Sequence, residues 1–210
     1  MAAFVQAELV PFHADWEKQQ RVPREVWRKA GAAGLLCPDV PEEFGGYGAD
    51  WLYNVAIIEE LAKAGMSGPG FMVHSEMVAP YIRTWGSDEL KRKWLPRMVT
   101  GEAIGAVAMT EPGAGSDLKE LRTRAVRDSD HYVINGQKTY ISNGQNCDFI
   151  LLACKTDPAA GARDVGAWRL SSGQYPGCRW PAQRGARLGV RPRRRSGRGS
   201  RLVSDLTLYP

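Results

Sequence analysis

The stretch AMTEPGAGSD, Ala108–Asp117, lies between a small apolar run and a series of strand-like segments. It combines two glycines and a proline with four oxygen-bearing side chains. Gly113 and Gly115 let a backbone approach a ligand closely, and the hydroxyls of Thr110 and Ser116 can hydrogen-bond to carbonyls, ring nitrogens or phosphates. The stretch is neither a P-loop nor a Rossmann fingerprint. Taken alone, it is compatible with a ligand-contact loop and with a plain tight turn.

A second polar segment, Tyr140–Ser142, follows 23 residues after this stretch, and we expect it on a strand just before an Asn-Gly turn. If it faces the loop, Tyr140 offers an aromatic plane while Thr110 and Ser142 offer hydroxyls. This combination suits a flat heteroaromatic ring with polar edges, such as a flavin. The alternative for Tyr140 is an aromatic that packs against a neighbouring strand.

The first hundred residues show the periodicity of helices. The segment WLYNVAIIEELAKAG (51–65) predicts a helix that stops at Gly65. The segment GSDELKRKWLPRMVTGE (86–102) predicts a second helix, with Ser87 as its N-cap and with Pro96 limiting its length.

From about residue 101 the pattern becomes typical of β-strands. The segment LRTRAVRD (121–128) alternates polar and apolar side chains. The Asn-Gly pairs at 135–136 and 143–144 predict hairpins with type I′ turns, because both central residues of such turns need positive φ. The continuous apolar segment CDFILLACK (147–155) predicts a strand that is buried on both faces.

The net charge of +5 is distributed unevenly along the 210 residues. Residues 164–210 contain ten arginines, no lysine and two aspartates, whereas residues 1–163 contain 18 basic and 21 acidic side chains. Few contiguous apolar residues occur after residue 164, a composition that usually cannot pack a core. We therefore expect 164–210 to be an aberrant Arg-rich tail, disordered or read out of frame from a GC-rich gene.

Cysteine and histidine spacing predicts neither a metal site nor a disulfide framework. The four cysteines (37, 147, 154 and 178) form no C-x-x-C pair, and the three histidines are scattered. No apolar run approaches the ~18 residues that cross a bilayer. The acidic, amphipathic N-terminus does not resemble a secretory signal, so the sequence predicts a cytoplasmic protein without a membrane span.

The combined motifs resemble the acyl-CoA dehydrogenase family. The segments VAMTEPGAGSDL (107–118) and YVINGQKTYISNG (132–144) carry the resemblance, and GLLCPDVPEEFGGYGAD (34–50), EELAKAG (59–65) and the segment 86–102 support it in the same order. The resemblance covers roughly residues 1–163. Within the family, the sequence is similar to the long-chain-like bacterial branch. No single short motif carries it alone.

The resemblance implies an α+β fold. We expect an N-terminal all-α helical domain (1–100) and a middle domain (101–163) that is a partial antiparallel β-barrel or sandwich. The C-terminal helical bundle of the family is missing from this chain, which is therefore expected to be truncated and inactive alone. In the family, FAD lies between the middle domain and that bundle, and the chains form homo-oligomers of the tetramer type.

The resemblance also implies the site residues. The residues expected to line FAD are Val107, Ala108, Met109, Thr110, Glu111, Pro112, Gly113, Ala114, Gly115, Ser116, Tyr140, Ile141 and Ser142. Thr110 is expected to hydrogen-bond to the edge of the flavin ring, and Ser116 is expected to reach the acyl-CoA substrate as well. No catalytic residue is assigned, because the family places its catalytic glutamate in the missing bundle, and Glu111 is not given that role.

The implied activity is oxidation of acyl-CoA to trans-2-enoyl-CoA with FAD in fatty-acid β-oxidation, with electron-transfer flavoprotein as the acceptor. Two alternatives stay open within the same fold, a flavin monooxygenase and an acyl-CoA oxidase. A third is nucleic-acid binding by the basic tail, since arginine clusters neutralise phosphates. The last 30 residues offer only Tyr209 for base stacking, which disfavours nucleic acid as a partner.

Overall fold

A computed structural model describes residues 1–128, 131–156, 165–171, 188–190 and 205–207, with side chains described for 1–126 and 132–156. The chain forms two compact units, Met1–Gly105 and Ala106–Pro210. Within the described residues, no helix is both long enough and apolar enough to cross a membrane.

The first unit is built from helices. They are α1 (Ala2–Phe4), α2 (His13–Gln19), α3 (Arg24–Ala32), α4 (Leu52–Lys63), α5 (Ala79–Trp85) and α6 (Asp88–Val99). Short π-helical turns lie at Val5–Leu9 and Val73–Val78, and 3₁₀ turns lie at Val10–Phe12 and Glu42–Phe44. Apolar side chains from these helices form one buried cluster, in which Trp27 packs edge-on against Phe71 with ring centroids 4.8 Å apart.

Both helices predicted from local signals are present. Helix α4 ends where Gly65 adopts φ +67°, as its expected stop requires. Helix α6 begins at the expected N-cap, because the hydroxyl of Ser87 accepts a hydrogen bond from the N–H of Leu90 at 3.3 Å. The expected limit at Pro96 is wrong, since α6 continues to Val99. Burial of the last turn, including Met98, compensates for the hydrogen bond that the proline cannot donate.

The second unit is built on one sheet. Its strands are β1 (Gly105–Ala108), β2 (Arg124–Asp128), β3 (His131–Asn135), β4 (Phe149–Lys155), β5 (Val165–Ser171), β6 (Leu188–Val190) and β7 (Asp205–Thr207). The strand order is β6-β3-β2-β4-β5-β7, with β1 also paired to β4. A helical unit followed by a sheet unit confirms the α+β class.

The sheet is mixed rather than antiparallel throughout. Three pairings are antiparallel, β2 with β3, β3 with β6 and β4 with β5. The pairing of β2 with β4, through Arg124 and Lys155, is parallel, and so is the pairing of β5 with β7. The expected antiparallel pairings are present, and parallel pairings accompany them. Strands β2 and β4 are not consecutive in sequence, and a long crossover lets them run in the same direction.

Strand β4 is the apolar centre of this sheet. All of its residues except Lys155 are buried, which confirms the prediction of a strand covered on both faces. Ile150, Leu152 and Cys154 join one buried cluster, and Ala153 joins another together with Ala114 and Leu121.

The predicted type I′ hairpins at the two Asn-Gly pairs are wrong. The hairpin joins β2 to β3 and closes at the pair Asp128–His131, before either Asn-Gly. Asn143 has φ +64°, but neither Gly136 nor Gly144 has positive φ. At Gly136 the glycine is required by tertiary contact instead, since a Cβ there would lie 2.6 Å from the Cα of Thr123.

The range 164–210, expected to lack packed structure, contributes β5, β6 and β7 to the sheet. Strand β5 pairs with β4 along its whole length, from Phe149–Ser171 to Lys155–Val165. Backbone pairing explains the difference, because it does not depend on the periodic side-chain pattern that the sequence lacks there. The remainder of the predicted tail lies outside the described residues. The frameshift stays a prediction.

Candidate functional site

The Gly-rich stretch of the second unit contains a closed turn. The backbone N–H of Glu111 donates to the carbonyl of Ala114 at 2.9 Å, and the N–H of Ala114 donates back to the carbonyl of Glu111 at 3.1 Å. Pro112 and Gly113 form the exposed tip of this turn. The tight turn considered from the sequence is therefore present, and it does not exclude ligand contact because its tip is free.

The two glycines of the turn region are not explained by packing within the described chain. A Cβ added to Gly113 or to Gly115 would meet no atom within 4 Å, and neither residue has positive φ. Glycine is usually retained where a side chain would collide or where φ must be positive. At these two positions the open space lies on the outer side of the loop, where a ligand could approach the backbone.

The two residues that precede the predicted second segment hydrogen-bond to the loop. The backbone N–H of Thr139 donates to the carbonyl of Thr110 at 2.9 Å. The Nζ of Lys138 donates to the carbonyl of Met109 at 2.8 Å and to Oε1 of Glu111 at 2.9 Å. Two consecutive residues thus contact three consecutive residues of the loop, and the two motifs singled out in the sequence lie side by side.

Tyr140 follows these contacts and projects into solvent. It has φ +55°, which is uncommon for a residue with a side chain, and it is 94% exposed. The expected strand at 140–142 is wrong, because β3 ends at Asn135 and residues 136–148 form turns and irregular backbone. The alternative of a cross-strand packing aromatic is also excluded, since nothing covers this ring in the described residues.

The other predicted site residues divide by burial. Val107 and Ala108 belong to β1, Met109 and Thr110 are half-buried, Ala114 is buried, and Ile141 packs against the buried cluster beneath β4. The exposed ones are Pro112, Gly113, Gly115, Ser116, Tyr140 and Ser142. All of them lie in two segments that are held together by the hydrogen bonds of Lys138 and Thr139 to the loop.

Glu111 is the centre of the hydrogen-bond network beneath the loop. Its Oε2 accepts from the N–H of Arg122 at 2.7 Å, and its Oε1 accepts from the N–H of Thr123 at 3.0 Å. Burial by itself raises the pKa of this carboxyl, but the hydrogen bonds from Thr123, Arg122 and Lys138 outweigh burial and hold the pKa below its usual value. The carboxylate is ionised and turned into the protein.

Lys138 is the site residue that the sequence reasoning missed. Its side chain is only 2% exposed and forms a buried ion pair with Glu111, whose side chain is 4% exposed. A lysine in a strand-like segment usually predicts a solvent-exposed position. The available signal was the unassigned carboxylate of Glu111, since a buried charge requires a partner of opposite sign.

Other chemistry is limited among the side chains that the structure describes. No group of three or more histidine, cysteine, aspartate or glutamate side chains is arranged to hold a metal ion in that part of the chain. Cys37, Cys147 and Cys154 are buried, and none of them forms a disulfide within the described residues.

The chain is an α+β protein, with a helical unit followed by a unit built on a mixed sheet. The family description "Acyl-CoA dehydrogenase, N-terminal domain" matches residues 1–102, and "Acyl-CoA dehydrogenase, middle domain" matches residues 106–197. The chain belongs to the acyl-CoA dehydrogenase family. The middle-domain match extends beyond Arg163, where the resemblance in the sequence motifs stops.

Individual relatives agree with this assignment. The mitochondrial long-chain specific acyl-CoA dehydrogenase of Sus scrofa is 47% identical over 158 residues, which are 75% of this chain and 36% of that protein. The crystal structure of an acyl-CoA dehydrogenase from Geobacillus kaustophilus superimposes with a TM-score of 0.78 at 49% identity, covering 82% of this chain and 46% of that one. A glutaryl-CoA dehydrogenase from Mycobacterium smegmatis, solved in complex with FADH2, gives a TM-score of 0.72 at 30% identity and covers 82% and 43%.

Proposed function

We propose that the loop Val107–Ser116 and the segment Tyr140–Ser142 form one edge of an FAD site. The observation that carries the proposal is that Lys138 and Thr139, the two residues before Tyr140, hydrogen-bond to the loop. The exposed ring of Tyr140 follows them immediately. The M. smegmatis relative with FADH2 bound supports FAD as the ligand.

The residues present fit this cofactor. The ring of Tyr140 is free to pack on a planar heteroaromatic system. The side chains of Thr110 and Ser142 supply hydroxyl groups for its polar edge, and the open positions at Gly113 and Gly115 allow close approach to the loop backbone. Polar donors at this edge would stabilise the negative charge that develops on reduction.

We propose that the whole protein oxidises acyl-CoA to trans-2-enoyl-CoA in fatty-acid β-oxidation. When bound, FAD supplies the acceptor for the hydrogen that leaves the β-carbon of the substrate. In this scheme the exposed hydroxyl of Ser116 contacts acyl-CoA, electron-transfer flavoprotein takes up the electrons, and the protein is a homo-oligomer. These are proposals for the protein as a whole, because the chain spans 36% of the length of its Sus scrofa relative.

No described side chain is proposed as the base that removes the α-proton. Glu111 is the acidic residue of the loop, but its oxygens are occupied by the N–H groups of Arg122 and Thr123 and by Lys138. A general base must reach the proton that it abstracts, and this carboxylate is turned away from the exposed face. We therefore assign Glu111 a supporting role.

Titration of the purified chain with FAD tests the proposal. Stacking on Tyr140 should quench flavin fluorescence in a saturable manner and perturb the flavin absorption band near about 450 nm. Tyr140→Ala should weaken binding by about tenfold, because removing a stacked aromatic costs roughly 1–1.5 kcal/mol. Tyr53→Ala, which removes a tyrosine ring that is also exposed but lies in the helical unit, is the control and should leave binding unchanged.

The result that contradicts the proposal is the absence of saturable quenching at about 1 mM FAD, which corresponds to less than about 4 kcal/mol of binding free energy. If Tyr140→Ala binds FAD as strongly as the wild type, FAD remains the ligand but Tyr140 does not belong to its site. Where FAD binds, the rate at which oxygen reoxidises the reduced flavin is measured next. Slow reoxidation favours a dehydrogenase over the oxidase and monooxygenase alternatives.

A further inference from the structure

The ion pair between Glu111 and Lys138 joins three separate stretches of the second unit. Lys138 reaches the loop through the carbonyl of Met109 and the carboxylate of Glu111. That carboxylate in turn accepts from the N–H groups of Arg122 and Thr123. One buried pair of side chains therefore sets the distances among the loop, the chain before β2 and the segment that carries Tyr140.

Stability alone gives no strong reason for this pair. Desolvating two charges is costly, and replacing a buried ion pair with neutral groups of similar size is often neutral or stabilising. What a buried pair supplies is direction, because its hydrogen bonds form only in a narrow range of distances and angles. In this chain the hydrogen bonds of the pair help to set the direction of the next side chain after Lys138 and Thr139.

That residue is Tyr140, whose ring has no support of its own. Its side chain is 94% exposed, so the direction of the ring is set by the backbone on either side. Before it, the N–H of Thr139 donates to the carbonyl of Thr110 at 2.9 Å, and after it, the N–H of Gly144 donates to the carbonyl of Ile141 at 3.0 Å. The unusual φ of +55° at Tyr140 must be held by these neighbours, since it is not the preferred conformation of a tyrosine.

We propose that Glu111 and Lys138 are a positioning pair that fixes the Tyr140 ring relative to the Thr110 loop and so prepares the surface for a planar, polar-edged ring. This rests on the proposed function, in which that ring is the flavin of FAD. Neither side chain touches the ligand in this scheme, since the carboxylate of Glu111 is directed at Arg122, Thr123 and Lys138. The pair acts through the backbone of Thr110 and Thr139.

The test separates direction from stability with the double variant Glu111→Gln/Lys138→Met. Met keeps the length of lysine, so no buried charge is left unpaired. Gln keeps one carbonyl oxygen, which accepts from only one of the N–H groups of Arg122 and Thr123, and the cost of the lost acceptor is registered by the protection of β4. Lys155→Met is the matched control, because Lys155 also donates to a backbone carbonyl, that of Lys119, but in an exposed position.

Two measurements are made on each chain. Amide hydrogen exchange without FAD compares residues 139–141 with β4, which reports the stability of the sheet. FAD titration gives the Kd and the residual fluorescence of bound flavin at saturation, and Tyr140→Ala shows the value expected when the ring is absent. In the double variant we expect exchange at 139–141 to accelerate by about tenfold or more while β4 keeps its protection. We also expect the Kd to rise by about tenfold, with a residual fluorescence close to that of Tyr140→Ala.

Three results would overturn the positioning role. The first is that exchange at 139–141 is unchanged in the double variant. The second is that protection is lost equally at β4 and at 139–141, and the third is that the double variant does not fold. In each case the pair is only a part of the core. Unchanged Kd and unchanged residual fluorescence in a folded double variant would also overturn it. If the wild-type chain binds no FAD, the proposed function fails by itself, and the exchange comparison still decides whether the pair positions Tyr140.

Discussion

The Nδ1 atom of His74 accepts a hydrogen bond from the backbone N–H of Gly105 at 3.1 Å. Because Nδ1 is the acceptor, the proton of the neutral imidazole lies on Nε2, which donates to the carbonyl of Met98 at 3.1 Å. The ring is fully buried and packs edge-on against Trp27, with centroids 5.2 Å apart. His74 therefore serves the first unit as a neutral structural side chain that satisfies two backbone groups.

Replacing His74 with leucine should lower the free energy of unfolding by about 2–4 kcal/mol, since it removes both buried hydrogen bonds of the ring. Urea unfolding monitored by circular dichroism measures the change. Met72→Leu, at a position that is 49% exposed, is the control and should change stability by less than about 0.5 kcal/mol. A loss below about 1 kcal/mol in His74→Leu would argue against two buried hydrogen bonds at this ring.

The stability of the helical unit should fall as the pH rises from about 4.5 to about 7, because of Glu76. Burial and the charge of Asp39 raise the pKa of this carboxyl to about 7, against the opposing effects of Trp51 and Arg83. The folded state therefore holds a proton that the unfolded state releases at lower pH, and stability is lost between the ordinary pKa of 4.5 and about 7. Glu76→Gln should raise the melting temperature at pH 8 relative to the wild type and leave it nearly unchanged at pH 5.

The control for this prediction is Met72→Gln, a neutral change on the same helical segment that should shift the melting temperature equally at both pH values. If Glu76→Gln shifts it equally at pH 5 and pH 8, the carboxyl does not titrate in this range. The side chain of Glu76 is half-buried, so water screens its charge and reduces the effect.

Local signals were sufficient to predict several elements of the fold. Ser87 caps α6 and Gly65 ends α4 because the groups that they satisfy lie within a few residues. The burial of β4 could also be predicted, since a continuous apolar segment has no face that favours water.

The parts that could not be predicted depend on partners distant in sequence. The Asn-Gly pair predicts a turn at Gly136, whereas this glycine is required by the close approach of Thr123. The sequence does not reveal the role of Lys138, because its partner Glu111 lies 27 residues away. For the candidate site, the motifs predicted which two segments belong together, but not that Tyr140 leaves the strand pattern with positive φ.

Two glycine substitutions should differ in their effect on the free energy of unfolding. Gly136→Ala should destabilise the sheet unit by about 1–3 kcal/mol, because the new Cβ would lie 2.2 Å from Oγ1 and 2.6 Å from Cα of Thr123, and the backbone cannot move away freely. Gly113→Ala should change stability by less than about 0.5 kcal/mol, since its Cβ would meet nothing within 4 Å.

The same pair distinguishes folding from ligand contact. Under the proposed function, Gly113→Ala folds normally but weakens FAD binding, because the methyl group occupies the space through which the cofactor approaches the loop. Thermal unfolding and FAD titration of each variant are the two measurements. A Gly113→Ala chain that binds FAD as tightly as the wild type would remove this position from the site.

The thiol of Cys37 should be almost inert in the native chain. Burial raises its pKa to about 12, and the hydrogen bond with the hydroxyl of Ser75 offsets this only in part. Since the thiolate is the reactive form, a rise of this size from the ordinary value of 9.0 reduces the reactive fraction at pH 8 by about a thousandfold. Peptide-level mass spectrometry after iodoacetamide treatment should find Cys37 unmodified in the native chain and labelled in urea. Ser75→Ala should not accelerate native labelling, because the hydroxyl lowers the pKa, and rapid labelling of the native wild type would show that residue 37 is accessible to solvent.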